Sequence, residues 1–220
     1  MVSLYHCMSA RSFRPLWTLE ELRLPYELIV LPFPPRAAAK QYLGVNSLGT
    51  VPAFRDGDVF MTESSAISQY LADRNPEGGL SVQKDSPHYG DYLNFLHFGE
   101  ATLTFPQTLL LRYGRFEPQE RRQPQVVEDY TKWFLARLRR IGEVVRVRPY
   151  LCGDTFSAAD ISVGYALLLA DTLSLRDQFP EGVGEYWDRL SAREGFVRAM
   201  AAQERAAIAA GISPAPAMKS

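Results

Sequence analysis

A break at Asn75-Pro76-Glu77-Gly78-Gly79 divides the chain into two stretches that call for different architectures. Before it, short strand-like and helix-like runs alternate; after it, the pattern is helical alone. Proline and glycine punctuate the chain here, and a linker continues to about Ser86-Pro87. Two modest domains suit a length of 220 residues. The expected division is a first domain over 1–75, a linker over 76–86, a helical domain over 87–212 and a loose tail over 213–220.

Within the first stretch, Val2-Ser3-Leu4-Tyr5 reads as a strand and Arg14 to Leu22 as a helix, with Leu16, Leu19 and Leu22 at helical spacing. Tyr26 to Val30 alternates as a second strand. Pro34-Pro35 breaks the chain, and Arg36 to Leu43 suits a short helix. Strands at Val51–Phe54 and Val59–Met61 flank Arg55-Asp56-Gly57-Asp58, in which Asp-Gly is a hairpin signal. Ser64 to Ala72 closes the stretch as a helix with Ile67, Tyr70 and Leu71 inward. The order β-α-β-α-β-β-α gives a four-stranded mixed sheet, parallel in its first pair and antiparallel at the hairpin.

The second stretch predicts a helix over Asp91–Tyr113 kinked at Pro106, and another over Val126–Val147 with Val127, Tyr130, Phe134, Leu138 and Ile141 along one stripe. Ser157–Leu173 is apolar on most sides and reads as a central buried helix. One or two helices follow over Tyr186–Ala210. The fold class is thus α/β followed by all-α.

Composition excludes several functions. A formal charge of −1 gives no field to draw nucleic acid or an anionic membrane, and neither is expected as a partner. No run approaches the ~18 apolar residues of a membrane span. Only two cysteines occur, Cys7 and Cys152, with no Cys-x-x-Cys, and His6, His88 and His97 are scattered, so no metal is expected. Sparse cysteine, and no apolar signal-like run before Ser3-Leu4-Tyr5, make the reducing cytoplasm the expected location.

Three segments carry chemistry. In Asn46-Ser47-Leu48-Gly49-Thr50-Val51-Pro52, the proline enters a strand where it cannot donate to the ladder. It is either an ordinary edge proline or a cis bond that turns the Val51 backbone outward to pair with a short peptide. Thr62-Glu63-Ser64-Ser65 opens a helix. Ser64 is either a plain N-cap or, with free N–H groups, a seat for a carboxylate, Glu63 taking an ammonium beside it. The third is the loop from Tyr5 to Pro15, at the carboxyl end of the first strand, where ligands of open α/β sheets collect. There Ser12 suits the N-cap, while Ser9 has no structural task and stands farther out. Cys7 reads as a small apolar filler.

Together these segments resemble the cytosolic glutathione transferases. The run Ser12-Phe13-Arg14-Pro15-Leu16-Trp17-Thr18-Leu19-Glu20-Glu21-Leu22 looks like many bacterial members. Asn46 to Pro52 is similar to the family's Asn-Pro-x-Gly-x-Val-Pro pattern, with Ser47 in place of the usual proline. Gly153-Asp154-Thr155-Phe156-Ser157-Ala158-Ala159-Asp160 resembles its capping box, Ser157 capping and Asp160 reaching back.

The resemblance implies a thioredoxin-like N-terminal domain that binds glutathione as co-substrate, and a helical domain that takes a small electrophile. It implies that Val51-Pro52 is cis, that Val51 pairs with the cysteinyl backbone of glutathione, and that Glu63 and Ser64 hold its γ-glutamyl end. Thr50 lies where a side chain touches the peptide, and Lys40 is a weaker candidate for the glycyl carboxylate. Several classes place Ser or Cys five residues before an arginine that opens the first helix; Ser9 stands so before Arg14, with Ser12 the second choice. Tyr5 is a remote alternative. The electrophile is expected in a cleft between the domains, with Met8, Phe105, Arg112, Tyr113, Tyr165 and Leu169 as candidates. A homodimer is implied as well.

Acidity defines the task. A free thiol with pKa near 8.5 is only about 3% thiolate at pH 7, and the thiolate is the nucleophile. A serine hydroxyl makes a poor base, yet it can donate a hydrogen bond to sulfur and favour the anion. Isomerisation, dehalogenation, ether cleavage or peroxide reduction on the same scaffold, or a non-catalytic glutathione-binding stress module, are the competing readings.

Overall fold

The computed structural model describes residues 1–216. The expected tail falls partly within it, and 217–220 lie outside the described residues. By contacts, the described residues divide into two compact units: 1–78 with those from 192 onward, and 79–191.

In the first unit, β1 (Val2–His6), β2 (Tyr26–Val30), β3 (Ala53–Asp56) and β4 (Val59–Met61) form one sheet in the order β2-β1-β3-β4. β1 and β2 are parallel; β1/β3 and β3/β4 are antiparallel. β3 begins two residues later than the sequence predicts, since Val51 and Pro52 stay outside the ladder and Pro52 has no N–H to give it. α1 (Phe13–Leu22) and α3 (Ser64–Arg74) pack together, with Thr18 donating to Ser68 Oγ at 3.0 Å. The helix predicted over 36–43 is two pieces, α2 (Pro35–Ala38) and a 3₁₀ turn over Lys40–Gly44.

This unit is completed by the last helix of the chain, α9 (Glu194–Ala209). Phe196 meets the rings of Phe13 and Trp17 edge-on at centroid distances of 5.5 and 5.0 Å. Arg193 forks onto the Glu21 carboxylate at 2.8 and 2.9 Å, and Trp17 Nε1 donates to the same carboxylate at 2.9 Å. The division expected from chain order grouped these residues with the helical domain; their packing groups them with the sheet.

In the second unit, α4 (Tyr89–His97), a π-helical stretch over Phe98–Thr104, α5 (Phe105–Leu111) and a second π-helical stretch over Arg112–Phe116 follow without a break. Just before Pro106, where the sequence predicts a kink, the helix widens into the first π-helical stretch, in which Thr104 Oγ1 donates to the Gly99 carbonyl at 2.7 Å. α6 (Pro124–Val145), α7 (Ala158–Thr172) and α8 (Val183–Ser191) complete the unit. Ala158 through Ala170 of α7 are buried throughout. Its predicted capping box is present: Asp160 accepts from the Ser157 N–H at 2.9 Å, and also from the Leu151 N–H and the Tyr186 hydroxyl. Among the described residues, no helix is long and apolar enough to cross a membrane.

Candidate functional site

Sheet register gathers the three segments. Tyr5 on β1 pairs with Ala53 on β3 in antiparallel register. Residues that follow Tyr5 and residues that precede Ala53 therefore leave the sheet at the same end, the carboxyl end of β1. The β1–α1 loop and Thr50-Val51-Pro52 emerge there side by side. Arg14, in the first turn of α1 and fully buried, donates to Ser64 Oγ at 3.1 Å and ties the start of α3 to the start of α1.

The segment before β3 is held from its own side chains. Asn46, 3% exposed, donates to the Thr50 carbonyl at 2.8 Å and accepts from the Leu48 N–H at 3.1 Å. Tyr42 donates to the same Thr50 carbonyl at 2.7 Å. Gly49 has φ +61°, and a Cβ there would lie 2.6 Å from Arg36 Cβ, so glycine answers both the backbone and the space. The Val51-Pro52 peptide is cis, as the resemblance implies; Phe33-Pro34 is a second cis bond, which the sequence reading did not anticipate. Thr50 is exposed, Val51 half-buried and Pro52 buried. Lys40 is exposed.

At the opening of α3, Glu63 is the exposed residue before the helix, and Ser64 is its buried first residue, with no side-chain cap bond from Glu63. Because Arg14 donates to the Ser64 oxygen, the serine keeps its own proton to donate. Arg14 also adds positive charge where helix N–H groups already favour an anion. The sequence reading used Arg14 only as a spacing marker; its burial was the signal missed.

The β1–α1 loop contains a hydrogen-bond relay whose polarity one backbone group decides. The Ser9 N–H, which can only donate, faces the Gln203 side chain at 3.0 Å, so the facing atom is the amide oxygen. His6 Nε2 lies 3.0 Å from that same oxygen and must carry its proton. His6 Nδ1 is then an acceptor, and Ser12 Oγ at 2.9 Å donates to it. Ser12 Oγ accepts in turn from the Cys7 N–H at 3.3 Å. Burial pushes the His6 imidazole down to about 4, which keeps it neutral as the relay requires.

Ser12 therefore precedes α1 as expected, but it makes no side-chain cap bond. Its single proton goes to His6, so it has none for a thiolate. Ser9 sits in the turn beyond it, 4% exposed, with a left-handed φ of 53°. Cys7 is fully buried and its thiol is pushed up to about 12 by burial, in keeping with a filler. Tyr5 meets Tyr42 in a tilted ring contact with centroids 5.4 Å apart.

The electrophile candidates scatter. Met8 is 6% exposed and packs with Val30 and Ala207, so its side chain belongs to the core of the first unit. Tyr165 and Leu169 are buried on α7. Phe105 is 54% exposed at the start of α5. Arg112, exposed, pairs with Glu117 at 3.0 Å and lies over the Tyr113 ring.

A four-stranded sheet of this order, parallel in its first pair and antiparallel beyond, with a buried arginine linking two helix N-termini, is a thioredoxin-like unit, here followed in the chain by a helical unit. The family model described as glutathione S-transferase, N-terminal domain, matches residues 4–79. The relative named "Probable glutathione S-transferase GSTF2" from Oryza sativa subsp. japonica is 33% identical over 196 residues, 80% of this chain and 84% of the relative. A glutathione transferase from Methylococcus capsulatus superposes with TM-score 0.81 at 26% identity, over 92% of this chain and 98% of that one. BphK, a bacterial GST solved as a ternary complex, gives TM-score 0.79 at 27% identity, over 91% and 98%. The chain belongs to the glutathione S-transferase family.

Proposed function

We propose that this protein binds glutathione on its first unit, stabilises the thiolate through Ser9 and transfers it to a small hydrophobic electrophile. The observation that carries the reading is the Arg14–Ser64 bond of 3.1 Å, which sets a buried cation and a donor hydroxyl at the opening of α3. A γ-glutamyl head group carries a carboxylate and an ammonium on one carbon. Ser64 and the α3 N-terminus suit the first, and Glu63 the second. The Val51 backbone, outside the β3 ladder, is left to pair with the cysteinyl residue, and Thr50 borders it. Lys40 remains the candidate for the glycyl carboxylate.

Ser9 is favoured for its place five residues before Arg14, and Ser12 disfavoured because its proton goes to His6. A hydrogen bond from Ser9 to sulfur favours the anion without removing the proton itself. Each unit by which the thiol pKa falls corresponds to about 1.4 kcal/mol of preference for the thiolate. On the helical unit, exposed Phe105 and half-buried Tyr113 are the candidates for the electrophile, and Arg112 for an anionic substituent. A homodimer in the cytoplasm is part of the same reading. An open depression of about 400 Å³ on the α4 face, lined by Leu93, Asn94, His97, Phe98, Ala101 and Thr102, offers a surface for the second copy.

Calorimetric glutathione binding and conjugation to an activated aryl halide test the proposal. Ser9→Ala is expected to bind glutathione within a few-fold of wild type and to lose about tenfold or more of its rate at pH 7, as befits one lost donor to an anion. An unchanged rate would remove Ser9 from the mechanism. No binding by the wild type would leave a fold without this chemistry.

A further inference from the structure

The loop that carries Ser9 is fastened from the far end of the chain. Ser9 and Gln203 are 194 positions apart, yet the Ser9 N–H donates to the Gln203 amide oxygen at 3.0 Å. Ser9 holds φ at 53°, a region that a residue with a Cβ keeps only where its surroundings impose it. Two contacts with α9 flank that turn. Gln203 takes the Ser9 N–H, and the neighbouring Met8 side chain packs against Ala207, one helical turn beyond Gln203. The same amide oxygen receives His6 Nε2, which orders the Ser12 side of the loop.

Gln203 is 1% exposed. Packing alone would be served by an apolar residue of similar size, without the desolvation cost of a primary amide. Its oxygen instead accepts two N–H groups, and its nitrogen lies 3.2 Å from Met200 Sδ. We propose that Gln203 is a positioning residue for the proposed thiolate site: with His6, it fixes the turn in which Ser9 presents its hydroxyl to the glutathione sulfur. This rests on the reading of Ser9 given above, but it concerns a different residue on a different element.

The test is the pKa of the glutathione thiol bound to the full-length protein, read from thiolate absorbance near ~240 nm as pH is varied, for wild type, Ser9→Ala, Gln203→Met and the double variant. Gln203→Met keeps the length of the side chain and removes the acceptor. It is expected to raise the bound thiol pKa by about one unit, lowering the thiolate fraction at neutral pH by at most about tenfold, while glutathione affinity changes less than about threefold. The double variant is expected to be no worse than the larger single effect, since both act through one turn. Gln203→Glu, which retains the acceptor oxygen, is expected to stay closer to wild type and guards against a Met variant that fails to fold. A Gln203→Met thiol pKa equal to wild type, or effects of the two single variants that add, would overturn the proposal. If Ser9→Ala leaves the pKa unchanged while Gln203→Met raises it, Gln203 keeps its role through the loop backbone and the Ser9 hydroxyl reading alone falls. If neither moves it, both fall.

Discussion

At the scale of single residues, the direction of one proton organises the site. Gln203, His6 and Ser12 form a chain in which every donor has one acceptor, and it works only while His6 is neutral. Unfolded His6 takes a proton near its ordinary 6.5, whereas the folded imidazole resists until about 4. The unfolded state therefore binds more protons across that window, and stability is lost as pH falls through it. The loss is expected to reach about 3 kcal/mol by pH 4, beyond the general effect of acid on carboxylates. Denaturant titrations at pH 7, 5.5 and 4.5 on wild type and His6→Asn should show a shallower acid slope in the variant. A parallel slope would show that His6 is not the group responsible.

The same residues mark how far the sequence could be read. Ser9, Ser12 and Arg14 stand in one short run, and their spacing is visible in it. That the Ser12 proton is committed to His6 was not visible, because the relay that fixes it ends on Gln203, 191 positions after Ser12. A glutamine within an alanine-rich helix reads as a solvated face until its partners are known. Arg14 serves in the sequence only as the mark from which Ser9 is counted, and burial against Ser64 shows what it does.

Among the elements, those with local signals emerged where periodicity put them. The Asp-Gly hairpin, the alternation of Tyr26–Val30 and the Ser157–Asp160 capping box each carry their instruction within a few residues. The π-helical stretches carry none. Over Phe98–Thr104, the widened turn coincides with an approach to α7 so close that a Cβ on Gly99 would lie 2.4 Å from Ser162 Oγ and 2.5 Å from its carbonyl carbon. Ser162 also donates to the Leu96 carbonyl at 2.6 Å. Because the obstacle includes backbone, a rotamer change cannot relieve it. Gly99→Ala is expected to cost about 1–3 kcal/mol of stability, measured as a shift of the denaturation midpoint. A cost within ~0.5 kcal/mol, as at ordinary surface positions, would mean the two helices separate easily.

For the whole molecule, chain order and packing part company at the end. α9 follows the helices of the second unit in sequence but completes the first, through Phe196 on Phe13 and Trp17 and through Arg193 on Glu21. Amphipathic spacing shows that a helix will cover something apolar; it does not show which surface. Phe196→Ala is expected to remove about 3–5 kcal/mol, as deleting a buried aromatic ring generally does. The same variant should weaken glutathione binding when measured near its unfolding midpoint, since α1 carries Arg14. Undiminished stability would show that α9 is an appendage of the first unit rather than part of its core.

The placement of α9 bears on how the protein is made. A ribosome delivers the sheet, α1 and α3 first, and then more than a hundred further residues before Phe196 and Gln203 emerge. Until then Phe13 and Trp17 have no lid and the Ser9 turn has no fastener. The unit begun first is thus finished last, by contacts that span nearly the whole polypeptide, and such closures are slow to form. A nascent chain halted after Ser191 would carry a complete set of strands and an open seam, vulnerable to proteases and in need of chaperones until the final helix arrives.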